Sequence, residues 1–320
     1  MQVAAVIPVY NRAELLSRLL KTLRSQTVPF SRIVVVDNGS TDGAAEVADS
    51  AGCHVIRLGS NFGFARAVNR GWRGCTEPWI AILNSDVELD PQWLERLLHS
   101  VGNSNFATGT ILNATNRLTV DGTYDLVSRA GCAWRAGHGD TAASSSHVSV
   151  PIGAAPGTAC LFRRNALESL GGYDESFDSY MEDVDLGLRC VERGLAGVFV
   201  PGALAWHHGG ASLGRWHPEV VRLISRNQLL LLARHYDRAL LRRWFWPILA
   251  GQLLWGVVAA RHGGLAAWFR GKREAFATFH PQEHSSPRLR EFLLASESEI
   301  RRRSSDSYWR WYFRLARAAH

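Results

Sequence analysis

Four apolar runs, separated by helical patterns, set the frame for this chain. Val3–Tyr10 (interrupted by Pro8), Ile33–Val36, His54–Leu58 and Trp79–Leu83 have strand length and end in turn formers. Asn11 with Glu14 three residues on reads as a capping box opening a helix whose Leu15, Leu16, Leu19, Leu20 and Leu23 share one face. A short helix ending near Gly52 and the loop-to-helix stretch Asn61–Gly71 fill the next gaps, and Asp90-Pro91 opens a helix over Trp93–Leu98. Strand and helix alternate four times, which predicts an α/β fold with a mostly parallel sheet and helices on both faces. Ligands of such sheets bind beyond the carboxyl ends of the strands. Trp79–Leu83 is uncharged and gives way at once to Asn84-Ser85-Asp86, so Asp86 is expected in that crevice.

The remainder is less periodic. Strands are expected around Ala107–Leu112, before the helix Asn165–Leu170, and at Val198–Pro201; a helix is expected over Met181–Arg193. The Gly/Ala/Ser-rich stretch 130–149 reads as a mobile loop. Beyond residue 218 the texture turns to Arg, Leu and Trp. Residues 1–214 hold 17 Lys+Arg against 21 Asp+Glu (−4), and 215–320 hold 19 against 8 (+11), which together give the net +7. The basic character therefore belongs to the tail. Trp244–Ala260 is uncharged for 17 residues but carries Pro247, Gly251, Gln252 and Gly256, and a spanning helix needs ~20 apolar residues. With Arg242, Arg243, Arg261, Arg270, Lys272 and Arg273 around it, the segment suits a helix lying in a lipid interface. The alternative is a set of helices packed on the body with a solvated basic face. No nucleic-acid partner is expected. Five scattered cysteines without a Cys-x-x-Cys pair point to a reducing compartment, and the opening stretch has no signal-peptide layout, so a cytoplasmic protein is expected.

Several residues can carry chemistry, and each has a plain structural alternative. Asp37 precedes a loop of cap formers and can either accept from a nucleoside or merely cap a turn. Asp86, with Asn84 two residues earlier, suits a hard divalent cation such as Mn²⁺ or Mg²⁺ that leaves positions open for phosphate oxygens; a turn carboxylate is the alternative. Glu182, Asp183 and Asp185 crowd one helix start, where one carboxylate can serve as a general base. Acidic residues also favour helix N-termini, and Asp185 with Arg189 makes an i,i+4 ion pair, so Asp185 is the one best explained structurally. Of His207 and His208 only one can face the site; His207 is the choice.

The ordered set Val6-Ile7-Pro8-Val9-Tyr10-Asn11, Val35–Gly43, Asn61-Phe62-Gly63-Phe64-Ala65, Leu83–Val87, Gly171–Glu175, Tyr180–Leu186 and His207–Ser212 resembles glycosyltransferase family 2, the inverting enzymes of GT-A fold, and within it the rhamnosyltransferase-like branch of bacterial cell-surface polysaccharide synthesis. It covers about 1–214. The resemblance implies a GT-A domain over 1–217, nucleotide-sugar half 1–112 and acceptor half 113–217, with a helical extension over 218–320. It places Pro8, Tyr10 and Asp37 at the nucleotide base and Asn61 near the ribose and diphosphate. Asn11, Asn38, Gly39, Gly63, Ala65, Asn84 and Ser85 complete that set. Asp86 and His207 become the metal ligands, and Asp183, with Glu182 beside it, the catalytic base. Asn84 stands where the family's Asp-x-Asp has its first aspartate, so the site carries one charge fewer. Leu213-Gly214-Arg215-Trp216 lacks the glutamine of Gln-x-x-Arg-Trp, which implies a non-processive enzyme. The implied substrates are a nucleotide-diphosphate sugar, a deoxyhexose such as rhamnose, and a saccharide or lipid-linked saccharide acceptor at the inner face of the plasma membrane. Two other classes share some features. A sugar nucleotidyltransferase would need a Gly-rich basic loop where Val9-Tyr10-Asn11-Arg12 stands. A non-catalytic sugar- or nucleic-acid-binding protein would leave Glu182-Asp183 without a purpose.

Overall fold

The computed structural model describes residues 1–142, 148–209, 214 and 216–317. Its frame is one ten-stranded mixed sheet. β1 (Val3–Val9), β2 (Arg32–Asp37), β3 (His54–Arg57) and β4 (Trp79–Leu83) run parallel, in the spatial order β4-β1-β2-β3. β1 and β4 are buried at every position, the all-apolar signature of parallel strands covered on both faces. Helices α1 (Ala13–Arg24), α2 (Ala44–Ser50) and α3 (Phe64–Trp72) make the connections.

Past β4 the sheet turns mixed. The short β5 (Val87–Leu89) and α4 (Trp93–Ser100) lead to β6 (Phe106–Asn113). After β7 (Val120–Gly122) come β8 (Asp125–Val127) and β9 (Ala133–Arg135), which pair as a separate two-stranded ribbon. β10 (Val150–Ile152) precedes β11 (Ala159–Arg163), which lies antiparallel between β4 and β6. After α5 (Arg164–Leu170) and α6 (Glu182–Arg193), β12 (Gly197–His207) runs parallel to β6 and antiparallel to β5.

Three local expectations need correcting. Asn11 does not cap α1. It sits at φ +51° and its side-chain oxygen accepts from Thr41 N–H (2.8 Å), while Ala13 N–H is taken by Asp42, 29 residues away. Asp90 caps the turn ahead of α4 rather than the helix itself: its side chain accepts from Gln92 N–H (3.0 Å), and Gln92 is the residue that flanks the helix. The start of the 130–149 stretch is ordered: β9 pairs with β8, and Ala136 N–H reaches Tyr124 O. Residues 143–147 of that stretch lie outside the described residues, as do Leu213 and Arg215 of the processivity comparison.

The extension comprises α7 (Pro218–His235), α8 (Arg238–Arg243), α9 (Phe245–Arg261), α10 (Leu265–Ala277), α11 (Pro287–Arg303) and α12 (Ser307–Arg317). It packs on the body. On α11, Ser296 accepts from Val127 N–H (2.6 Å), and Glu297 pairs with Arg129 (2.8 Å). His235, at the end of α7 and almost fully buried, lies between Asp185 (3.0 Å) and Glu192 (2.9 Å) of α6. Among the described residues no helix is long and apolar enough to cross a membrane.

Candidate active site

Two clusters meet where β4 and β11 join. The first is assembled by strand pairing. Asp86 leaves β4 and β5 turns back along β12, so Val87 lies opposite His207 and His208 N–H reaches Asp86 O (3.0 Å). The side chains of the two histidines diverge: His207 Nε2 faces Asp86 Oδ1 at 3.3 Å, while His208 Nε2 meets Glu88 at 2.8 Å. β7 contributes Asp121, whose carboxylate accepts the Nδ1 proton of His207 at 2.9 Å. Burial opposes a charge on His207, but its bonds to Asp121 and Asp86 outweigh burial and push its pKa up to about 9. Asp86 is shifted the other way: burial penalises its charge, yet His207 and the nearby guanidinium of Arg12 hold it below the usual carboxylate range.

The second cluster forms around α6. Asp183 accepts from Gly157 N–H (2.9 Å) and from Val184 N–H (2.9 Å). The next residue after Gly157, Thr158, gives its carbonyl to Asn84 N–H (2.9 Å), so one short peptide joins Asp183 to the tip of β4. Glu182 is buried, its Oε2 without a partner among the described residues, and burial followed by the charge of Asp183 raises its pKa well above normal. Asp185 turns away, held by Arg189 (2.7 Å) and His235, as its structural reading required.

Arg135 joins the two clusters. It lies opposite Asp125 in the β8–β9 ribbon, 3.6 Å from the Asp125 carboxylate and 3.6 Å from Asp121. Asp125 is buried, one oxygen without a partner among the described residues; desolvation raises it to about 7, Arg135 opposing and Asp183 adding to the rise. Asp121, Asp125 and Arg135 were not singled out in the sequence. Nothing in the sequence set them apart, since Arg117, Arg129 and Asp140 lie in the same stretch.

The segment before α6 is unusual. Asp178, Tyr180 and Met181 all have positive φ (65°, 69° and 70°), the left-handed region that costs a non-glycine residue of order 1–3 kcal/mol each. The buried amide of Asn227, on α7, donates to three carbonyls here: Phe177 (2.8 Å), Ser179 (3.0 Å) and Tyr180 (2.7 Å). The segment also closes the start of α3. Ala65 N–H reaches Asp178 O (3.0 Å), and a Cβ on Gly63 would lie 1.8 Å from the Asp178 carboxylate, so only glycine fits there.

The remaining sequence candidates line the β1–β3 end of the sheet. Pro8 is buried in β1, and Tyr10 is 44% exposed at its tip, as is Phe62 at 42% across the opening. Asp37 spends one oxygen on Ser40 N–H (3.0 Å). Asn38 is wholly engaged, donating to Asn61 (2.9 Å) and Gly63 O (3.2 Å) and accepting from Phe62 N–H (2.9 Å). It shapes the 61–63 loop, and Gly39, with φ +87°, lets the backbone of Ser60 approach. Asn61 also accepts from Gly63 N–H (3.0 Å), and Ala65 is buried. Asn84 and Ser85 immediately precede Asp86 in the chain.

The mixed α/β sheet, with a carboxylate–histidine pair past the end of β4 and a crowded carboxylate helix start at α6, is of the GT-A fold, as its solved structural neighbours show. The model of "Glycosyl transferase family 2" matches residues 4–171, and the chain belongs to that family. It is a glycosyltransferase, which sets aside the nucleotidyltransferase and non-catalytic alternatives. It is 29% identical over 240 residues to the N-acetylglucosaminyl-diphospho-decaprenol L-rhamnosyltransferase of Mycobacterium tuberculosis, covering 66% of this chain and 78% of that one. It is 33% identical over 224 residues to the pre-mycofactocin glycosyltransferase of the same organism, covering 67% of this chain but only 44% of that one. Among solved structures, a mannosyltransferase from Pyrobaculum calidifontis in complex with GDP-Man and Mn²⁺ superposes with a TM-score of 0.54 at 16% identity, over 99% of this chain and 86% of that one. GalNAc-T7 with UDP, GalNAc and Mn²⁺ superposes at 0.59 and 14% identity, over 88% and 58%. At these identities the solved structures speak for the fold.

Among the described residues no three His, Cys, Asp or Glu side chains gather as a self-sufficient metal cage. Asp86 and His207 offer two donors instead. With its Nδ1 proton on Asp121, the imidazole turns Nε2 toward a carboxylate oxygen. That is the carboxylate-oriented histidine of many metal sites; with its pKa pushed up to about 9, His207 holds a proton on Nε2 against Asp86, and a cation bound by both side chains would take that proton's place.

Proposed function

We propose that this chain is an inverting, non-processive glycosyltransferase that moves a deoxyhexose such as rhamnose from a nucleotide-diphosphate donor to a saccharide or lipid-linked saccharide. Residues 1–217 would form its catalytic domain and 218–320 an extension that meets the inner face of the membrane. The observation that supports this reading most is the Asn84–Thr158–Gly157–Asp183 link, two hydrogen bonds that run from the candidate base to the strand end that precedes Asp86. The rhamnosyl preference and the lipid-linked acceptor rest on the mycobacterial relative.

In this reading the nucleoside enters at the β1–β3 end, its base between Tyr10 and the 37–40 turn. The diphosphate lies toward Asp86. Asp86 and His207 would hold Mn²⁺ or Mg²⁺, with the Asn84 carbonyl oxygen adjacent. The bound ion would supply Lewis-acid neutralisation of the departing diphosphate. Asp183 takes the proton of an acceptor hydroxyl as that oxygen attacks C1 from the face opposite the leaving group, so configuration inverts. Its two backbone hydrogen bonds aim the carboxylate, and positioning of this kind is worth up to about 7–11 kcal/mol of barrier at the extreme. Glu182 and Asp125 are buried near it, and desolvation disfavours the charged form of each, which eases the crowding of negative charge around Asp183. The test is a thermal-shift panel of nucleoside diphosphates with and without Mn²⁺, followed by donor hydrolysis with the base that stabilises most. Failure of every nucleoside diphosphate to stabilise the chain would refute the reading.

A further inference from the structure

Among the described residues, one face of the extension is left exposed. On α9, Trp246, Leu253 and Val257 fall on one side at helical spacing; on α10, Leu265, Phe269 and Phe276 do the same, and all six are between 43% and 66% exposed. The two helices are neighbours, since Gly256 of α9 lies under the Trp268 ring of α10. The opposite side of α9 faces the protein: Pro247, Gly251, Gln252, Gly256 and Ala259 are buried, and Gln252 donates to Ala130 O (2.7 Å). So the residues that interrupt the apolar run point inward and the long apolar side chains point out. That inverts the pattern of a helix solvated on its outer face. Around this face Arg242, Arg243, Arg261, Arg270 and Arg273 are exposed. From 238 to 277 there are six arginines (238, 242, 243, 261, 270 and 273) and one acid, Glu274, which is paired with Arg222; Arg270 also lies 3.7 Å from Glu219, and Lys272, expected at the lipid interface, is instead buried on Ser225 and Gln252.

We propose that the α9–α10 face docks on an anionic bilayer, its apolar side chains in the headgroup boundary and the surrounding arginines on lipid phosphates. The charge pattern selects this occupant: a second copy would bring two sets of arginines together, whereas an anionic lipid surface attracts them. At 17 residues α9 lies on the surface rather than crossing it. The proposal rests on the membrane contact suggested above and adds the surface that makes it; α7 and α11 are spent on the protein body.

Flotation of the full chain with vesicles of equal parts phosphatidylcholine and phosphatidylglycerol, and with phosphatidylcholine alone, tests it. Wild type should float with the anionic vesicles and be released by salt. The triple variant Trp246→Ser, Phe269→Ser, Phe276→Ser should lose about tenfold in binding, since each ring gives up its insertion. The triple variant Arg242→Gln, Arg270→Gln, Arg273→Gln should lose about fivefold per charge at low salt. Both should keep wild-type donor hydrolysis and melting, since every substituted side chain is exposed. No flotation of wild type, flotation unchanged in both variants, or a dimer in light scattering that the first variant abolishes would each overturn the docking face. None of those results touches donor hydrolysis, whose absence in a floating wild-type protein would instead sink the transferase reading.

Discussion

Asn227→Ala is the perturbation that most sharply separates this account from one in which the extension is an appendage. The Asn227 amide is fully buried and donates to the carbonyls of Phe177, Ser179 and Tyr180. Its two hydrogens serve three acceptors, so one bond is shared. Alanine removes both donors and leaves buried carbonyls unpaired, at about 1–3 kcal/mol per stranded group, giving a loss of about 2–4 kcal/mol in unfolding free energy. The same bonds hold Asp178, Tyr180 and Met181 in left-handed conformations immediately ahead of Glu182-Asp183. Once released, the segment relaxes and Asp183 shifts. A displacement near 1 Å at a reacting group costs about 10²-fold in rate. The assay pairs urea unfolding with donor turnover at a temperature where the variant is fully folded. Asn227→Asp, which keeps the shape but loses the donors, should behave like alanine. Turnover within twofold of wild type, accompanied by an unchanged unfolding midpoint, would refute the idea that α7 positions the site.

Other outcomes follow from the same coordinates. Buried His235 has its pKa raised from 6.5 to about 9 by Asp185 and Glu192 despite desolvation, so its contribution is fully present below about pH 6.5 and disappears as pH rises through 9; urea unfolding of wild type and His235→Gln should differ by up to about 3 kcal/mol at pH 6 and converge above pH 9. Asp121→Asn removes the carboxylate that orients His207 and should weaken Mn²⁺ binding about 10–100-fold, read by thermal shift with nucleoside diphosphate present. Gly63→Ala would drive a methyl into the Asp178 carboxylate from a positive-φ position, so it should lower both stability and turnover; wild-type melting would contradict the packing described.

How legible the site was depends on how far apart its determinants lie. The tip of β4 could be read because burial on both faces demands an unbroken apolar run, and the switch to Asn84-Ser85-Asp86 marks its end. The Asp185–Arg189 pair was readable because helix geometry fixes i,i+4 neighbours. Asn11 misled because its cap is supplied by Asp42 from across a β-strand pair, a contact that local spacing cannot encode. Asp121, Asp125 and Arg135 were missed for a related reason: strands of three residues carry no measurable period, and their partners lie on other strands. Asn227 looked like one polar residue in a leucine-rich helix until the tertiary fold brought the 177–180 carbonyls to it.

The central claim is that Asp183 and the Asp86–His207 pair act on one bound substrate. Asp183→Asn tests it most directly, with nucleoside diphosphate affinity and donor turnover measured on the same preparation. The account predicts a turnover loss of roughly 10²–10⁴-fold with affinity almost unchanged. Retained turnover, or affinity lost in step with it, would contradict the account.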